Sequence, residues 1–444
     1  MEASELGEHS ARLDGDPIRD AFVRRAPLVP WRGRRPVPAS DLAGAWQRLI
    51  ASPPRRRKRV AYVNVPFCAN HCLFCGFYRG PAQPARVAGY ASLAIAEIER
   101  EADAAGIAEA PVHAVYLGGG TPSALPADGL RRLLRSLRSA LPLAPDCEIT
   151  VEGRWLGFDA DKVDACLDAG ANRFSIGVQS FDTASRRSQG RRASRDELLR
   201  FLAGLLERDR AAVVVDLLLG LPGQTAESWR EDLRICIDLG LDGVDLYPLN
   251  VLPGTPLATA IAAGRSGATL PLPEQGARYR EAARLLEQAD WRQISNSHWA
   301  RTTRERNLYN LLIKQGADCL AYGAGAGGSL ADHAYALEPD VESYGALVRA
   351  GRKPLRAIRE PDAGERVHQR LVAGLEVGRL DCSELPPEAL RRIEPLLGQW
   401  QRAGLLEGAR ARRRLTIAGR FWAPNLARGL HDALHPEEPR RSDR

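Results

Sequence analysis

Three cysteines constrain this chain more than any other feature. Cys68, Cys72 and Cys75 stand at Cys-x3-Cys-x2-Cys spacing, directly after the apolar run Tyr62-Val63-Asn64-Val65, which reads as a strand. A loop leaving a strand can wrap three thiolates around three corners of an iron–sulfur cube, and cysteine thiolates are the usual ligands of such clusters. Three ligands leave one iron open to a small molecule. The competing readings are a zinc site and structural cysteines. Zinc sites usually close with four Cys or His ligands, often as paired Cys-x2-Cys. No second pair occurs, and His71 is the only local fourth ligand. Cys147, Cys166, Cys236, Cys319 and Cys382 are scattered and read as interior residues, not as a disulfide framework.

The 444 residues have room for a large catalytic domain and a smaller one. Neither a signal peptide nor an apolar run long enough to span a bilayer is found, so a cytoplasmic protein is expected. The net charge of +7 can attract an acidic electron donor or a carboxylated substrate. Residues 1–57 are polar and rich in Arg and Pro, with basic runs at 31–36 and 53–58. They read as a solvated, partly disordered extension. Sparse aromatic interleaving weighs against nucleic-acid binding.

From Arg59 to about Asn250, strand-like and helix-like segments alternate. The expected strands are 59–66, 113–117, 148–152, 173–179, 212–219 and 243–249. Leu130, Leu133, Leu134, Leu137 and Leu141 follow helical spacing. Ser194 and Glu197 form a capping-box pattern, and Gly106, Gly170 and Gly240 sit where helices end. Strands alternating with helices argue for a parallel sheet, whose chemistry gathers at the carboxyl ends of the strands. Candidate residues fall there. Gly118-Gly119-Gly120-Thr121-Pro122 follows the second strand, where glycines permit either close backbone approach to a ligand or simply a tight turn. Glu152 ends the third strand and can accept two ribose hydroxyls, unless it is a surface glutamate. Gln179 ends the fourth, with Arg191 twelve residues on. Asp216, inside the apolar fifth strand, needs a partner if buried, and a structural ion pair to Arg191 is the plain explanation.

These motifs resemble the radical S-adenosylmethionine (SAM) superfamily. The resemblance implies an α/β fold with an open, partial (β/α)6 barrel. It also implies a [4Fe-4S] cluster on Cys68, Cys72 and Cys75, with SAM bound to the open iron and cleaved to a 5′-deoxyadenosyl radical. From about residue 58 to 430 the chain resembles the coproporphyrinogen dehydrogenase and heme chaperone branch. By that resemblance Tyr62, Gly119 and Glu152 contact the cluster-bound SAM. Phe74, Gly120, Thr121, Gln179, Arg191, Asp216 and Asn250 contact a second SAM or line its space. One departure separates the chain from the dehydrogenases. They carry a further cysteine two positions after the last ligand, whereas Gly76-Phe77 follows Cys75 here.

Residues 265–275 read as a linker, with a helix from Glu274 to Gln288. The loop-like stretch 291–310 combines aromatics, arginines and His298. Its Ser297-His298-Trp299-Ala300-Arg301, with Val151-Glu152-Gly153-Arg154, resembles the anaerobic heme-degrading radical SAM methyltransferases. A neutral imidazole can ligate heme iron or move a proton, so His298 is a candidate catalytic residue, against the alternative of a structural histidine. Arg154, Arg301 and Arg304 are candidate partners of heme propionates. After Pro361, short helices at 365–377, 387–397 and 399–403, then strands at 405–406 and 414–417, read as a small winged-helix-like domain with a structural or substrate-covering role. The expected division is an extension at 1–57, the barrel at 58–264, a barrel extension with a substrate segment at 265–360, and the C-terminal domain at 361–444. The resemblance implies heme as substrate, two SAM molecules, and reduced flavodoxin or a similar electron donor. The alternatives are an oxygen-independent coproporphyrinogen III dehydrogenase and a chaperone that transfers intact heme.

Overall fold

The computed structural model describes Gly7 and residues 9–26, 34–54, 58–361, 365–409 and 411–435. One sheet runs through most of the fold. Its strands are β1 (Arg35–Pro36), β2 (Arg59–Val65), β3 (Val112–Gly119), β4 (Leu143–Gly153), β5 (Arg173–Gln179), β6 (Ala212–Leu219) and β7 (Gly243–Pro248), then β8 (Arg292–Gln293), β9 (His298–Ala300), β10 (Asp318–Tyr322), β11 (Gly327–Leu330), β12 (His333–Leu337) and β13 (Leu355–Glu360). The order is β1-β13-β12-β11-β10-β2-β3-β4-β5-β6-β7-β9-β8. From β10 through β2 to β7 every pairing is parallel, and both flanks are antiparallel. The six expected strands form the open, parallel part, and β10 adds a seventh parallel strand at its edge.

Helices cover the sheet by burying one apolar stripe each. Ala127–Ala140 buries Leu130, Leu133, Leu134 and Leu137, as the leucine spacing predicts. Ser194 and Glu197 close a capping box on Arg195–Leu206. Gly170 and Gly240 follow helices with positive φ. Gly106 does not end a helix; it lies within Ala105–Ala108, where a Cβ would come 2.7 Å from the Ile50 carbonyl oxygen. Close packing, not chain reversal, calls for glycine there.

The N-terminal segment corrects the expectation of a solvated extension. Ile18, Ala21, Trp46, Leu49 and Ile50 are buried in the main core. The Trp422 indole N–H donates to the backbone carbonyls of Pro17 and Ile18, and the Trp400 indole to that of His9. Apolar residues at 18, 21, 46, 49 and 50 recover enough buried area to order a segment that composition alone marks as polar. Residues 31–33 and 55–57 of the two basic runs lie outside the described residues.

The C-terminal part builds a second, three-stranded antiparallel sheet from β14 (Arg379–Asp381), β15 (Leu406–Ala409) and β16 (Arg412–Leu415), ordered β14-β16-β15. Pro387–Arg402 is one helix where two are expected. Buried Ile393, Leu396, Leu397 and Trp400 hold the helical period through Pro395 and Gly398. Thr416 does not extend the last strand; its Oγ1 accepts from the Gly419 N–H and caps the helix Ile417–Phe421. Ala423–Leu434 follows and packs on Glu365–Glu376.

Candidate active site

The strand register places a polar row inside the parallel sheet. Glu152 pairs with Ser175, Gly177 with Asp216, Asp216 with Asp245, and Asp245 with His298. Side chains alternate faces along a strand, so this row looks into the concave interior. Above it, at the carboxyl ends of the strands, lies a cavity of about 680 Å³, within the usual range for small-molecule sites of roughly 300–1,000 Å³.

Cys68, Cys72 and Cys75 all line that cavity, and all eight cysteines are free thiols. The loop that carries them is fixed by its backbone. Cys68 N–H donates to the Gly80 carbonyl, Ala82 N–H to that of Cys68, and Leu73 N–H to that of Gln189. The Asn70 amide donates to the Gly190 carbonyl at 2.6 Å. His71 is not positioned as a fourth ligand: its Nε2 lies 3.1 Å from the Cys75 carbonyl oxygen and its ring stacks on Tyr78. Among the described residues no three His, Cys, Asp or Glu side chains converge on a single-ion position. The three thiols therefore do not form a compact mononuclear site, whereas a cluster takes ligands at separate corners.

The glycine loop lies against these cysteines. A Cβ on Gly120 would come 2.8 Å from the Pro66 carbonyl carbon, and one on Gly119 1.8 Å from the Asn64 side-chain oxygen. Gly119 also has φ of 106°, which favours glycine. Thr121 Oγ1 is 3.4 Å from Cys68 Sγ. Glu152 accepts a 2.6 Å hydrogen bond from the Tyr116 hydroxyl and another from the Gly119 N–H. Burial raises its pKa above the usual carboxylate range, and these two bonds oppose the rise. Tyr62 stands behind the loop, its hydroxyl 3.1 Å from Asn64 Oδ1 and its ring stacked with Tyr116 and Tyr309; it does not line the cavity.

On the other side, Phe74, Gln179, Arg191, Asp216 and Asn250 all line the cavity. Gln179 has φ of 73° at an irregularity between β5 and β6. A non-glycine residue held there is strained and marks a functional constraint more often than chance. Arg191 donates to the Gly177 carbonyl at 2.6 Å and lies over the Phe74 ring. Asp216 meets the Ser175 hydroxyl at 3.4 Å instead. The alternative reading, a structural Arg191–Asp216 ion pair, is not formed among the described residues, and both side chains line the cavity. Burial, then the charges of Asp245 and Glu152, push Asp216 up to about 7.

His298 is placed differently from the expectation. The stretch 291–310 is not a loop at the site: it forms β8, β9 and the start of the helix Leu308–Lys314. His298 is fully buried, opposite Asp245 across β7 and β9, and does not line the cavity. Its Nδ1 is 2.9 Å from Asp245 Oδ2 and its Nε2 3.1 Å from Glu305 Oε1. Glu305 in turn meets Arg173 Nε at 2.9 Å. Burial alone lowers the His298 pKa, but Asp245 and Glu305 outweigh it and raise it to about 9. With both ring nitrogens held by carboxylates, His298 has no face for a substrate, and its candidate catalytic role is corrected to a structural one. Its neighbours Asn296 and Ser297 do line the cavity.

Arg301 and Arg304 are likewise at the wrong end of the sheet. Arg301 donates to the Leu241 and Gly240 carbonyls and Arg304 to that of Ala211, before the first residues of β7 and β6. Arg154 is the exception. It is buried in the cavity lining with Nη1 3.8 Å from Cys72 Sγ, and its Nε and Nη2 have no partner among the described residues. Arg25, Tyr279, Lys314, Glu376 and Arg420 also line the cavity and carry no local sequence signal, because distant segments bring them there.

Free thiols, a close-packed glycine loop and side chains of opposite charge line one cavity at the strand ends. The chain belongs to the radical SAM superfamily, whose family model matches residues 62–236. It is 51% identical over 433 residues to the anaerobilin synthase of Escherichia coli O157:H7, covering 97% of this chain and 96% of that one. A heme chaperone HemW from Synechocystis is 31% identical over 54% of this chain and 59% of its own. An oxygen-independent coproporphyrinogen III oxidase from Bradyrhizobium diazoefficiens is 29% identical over 70% of this chain and 71% of its own. The solved HemN coproporphyrinogen III oxidase of Escherichia coli superposes with a TM-score of 0.75 at 22% identity, over 92% of this chain and 96% of that one; this likeness concerns the fold.

Proposed function

We propose that this chain is an anaerobilin synthase: a radical SAM methyltransferase that opens the heme macrocycle without oxygen to a linear tetrapyrrole and releases iron. The observation that carries the reading is the 51% identity over 97% of the chain. The arrangement of the cavity agrees with it.

Cys68, Cys72 and Cys75 would hold a [4Fe-4S] cluster, which when bound supplies the electron for reductive cleavage of SAM. Glu152, fixed by Tyr116 and Gly119, is set to accept from a ribose. Gly119 and Gly120 let the backbone approach the methionyl end. Tyr62, stacked on Tyr116 behind the glycine loop, would support that site without lining it. Gln179, Arg191 and Asp216, with Phe74, Thr121 and Asn250 beside them, would take the second SAM. Arg191 and Asp216 carry opposite charges, as the two ends of a zwitterion require. Phe77, Tyr247 and Leu252 are exposed apolar residues of the same lining, suited to a flat macrocycle.

Reduced flavodoxin or a similar acidic donor would deliver electrons to the basic surface, in the cytoplasm. Among the described residues no helix is long and apolar enough to cross a membrane.

The test is anaerobic incubation of cluster-reconstituted protein with heme, SAM and a reductant. Loss of the heme absorption band, iron release and a methylated linear tetrapyrrole are expected. Heme that stays bound and spectrally intact would instead identify a chaperone, and turnover of coproporphyrinogen III a dehydrogenase.

A further inference from the structure

One end of the cavity carries positive charge that the SAM-binding groups do not use. Arg25, Lys314, Arg420 and Glu376 line it. Lys314 is ion-paired with Glu376. That leaves the two guanidinium groups at this end, those of Arg25 and Arg420, without a salt bridge among the described residues. The charges acting on Arg420 from outside it, Glu287 and Arg379, are of opposite sign. Arg25 Nε and Arg420 Nη1 are buried with no hydrogen-bond partner among the described residues. The two arginines belong to one locale: both interact with Tyr279 and Glu376, and Arg25 lies over the ring of Phe421, the neighbour of Arg420. Desolvation acts against both cations. Two part-buried guanidiniums without a salt bridge, at one end of a ligand cavity, are stabilised by anions that meet them there.

We propose that Arg25 and Arg420 are the carboxylate-recognition site of the substrate, each binding one propionate of the porphyrin. This rests on the function proposed above and adds the residues that orient the macrocycle. Two free cations match two carboxylates, and guanidinium forks bind carboxylates with two parallel hydrogen bonds. The site joins two distant segments, since Arg25 comes from the N-terminal segment and Arg420 from the helix Ile417–Phe421. Fixing the carboxylate edge of a flat ring leaves its other edges to face the rest of the cavity, so these arginines select which edge reacts.

Ferric heme and heme dimethyl ester, which lacks both charges, are titrated into cluster-reconstituted protein without reductant, so that binding is read apart from turnover. Arg25→Gln and Arg420→Gln should each weaken heme binding about tenfold or more. Ester binding should change less than about twofold, and SAM affinity should not change. Unchanged heme affinity in both variants overturns the assignment, as does an equal loss for heme and ester. If Arg420→Gln loses SAM binding as well, its fold is damaged and Arg25→Gln alone decides. Wild-type protein that binds neither porphyrin overturns the functional reading and this assignment with it.

Discussion

The cysteine loop and the stretch 291–310 look alike in sequence, since each concentrates residues with metal or proton chemistry in a short span. They end in opposite circumstances. The loop leaves the carboxyl end of a parallel strand and is pinned by its own backbone, so its side chains are delivered to the cavity. The second stretch becomes strand β9, paired antiparallel to β7, and the register sets His298 against Asp245. Its basic residues Arg301 and Arg304 then hold the amino ends of the sheet. A reactive residue type is available for chemistry only where the topology leaves it a free face.

The largest expected effect tests the first half of this contrast. Replacing Cys68, Cys72 or Cys75 with Ala should abolish the cluster and all SAM cleavage, measured as bound iron and 5′-deoxyadenosine after reconstitution. A variant keeping both would break the comparison at its firmer end.

Next comes His298. His298→Ala leaves Asp245 and Glu305 buried together and should cost about 3–5 kcal/mol in stability, while cluster and SAM binding persist in the folded fraction. The pH dependence is a sharper signature. The folded pKa of His298 is raised to about 9 from 6.5, so its stabilisation is full below about 6.5 and is lost as pH rises towards 9. Glu305 is the reverse case. Burial opposes its ionisation, but Arg173 and His298 prevail and lower it to about 2, so its contribution is present above about 4.5 and is lost as pH falls towards 2. Denaturant melts should show the alkaline loss in the native protein and not in His298→Gln. A fully stable His298→Ala that loses heme turnover would return this residue to the site.

A smaller effect is expected at Asp216. Held near 7, it is about one-tenth ionised at pH 6 and about nine-tenths at pH 8. If it binds the ammonium or sulfonium of SAM, affinity at that site should rise about tenfold across that interval and flatten in Asp216→Asn. The smallest concerns Glu152. Glu152→Gln keeps the shape but loses the charge that strengthens its hydrogen bonds by about twofold, so SAM affinity should fall a few-fold with the cluster intact.

The parallel sheet was legible because its strands are continuous apolar runs bounded by turns, and six of the seven parallel strands follow from that pattern. β10 escaped because Asp318–Tyr322 is short and merges into the glycine-rich run behind it. The cysteines, the glycine loop, Glu152, Gln179 and Arg191 were legible because each ends or follows a strand, and Asp216 because it is a lone acid inside an apolar strand. Arg25, Lys314, Glu376 and Arg420 were not, since nothing local distinguishes them from surface charges. Nor was the fate of His298, which depends on a pairing partner some fifty residues away. Nor was the burial of Ile18 and Ala21, which draws on the helix Leu272–Gln288 and on Trp422 near the far end of the chain.

That last contact has a consequence in time. Synthesis proceeds at roughly 5–20 residues per second, so the ribosome needs roughly 20–70 s to travel from the completed cysteine loop to the helix Ala423–Leu434. The segment carrying Arg25 also packs on the helix Leu272–Gln288, but its contacts with Trp400 and Trp422 can form only then. Contacts of such long sequence separation also form late in folding. Until Arg420, Ala423, Pro424 and Ala427 are made, that side of the cavity lining is absent, and the three thiols are less enclosed than in the finished fold.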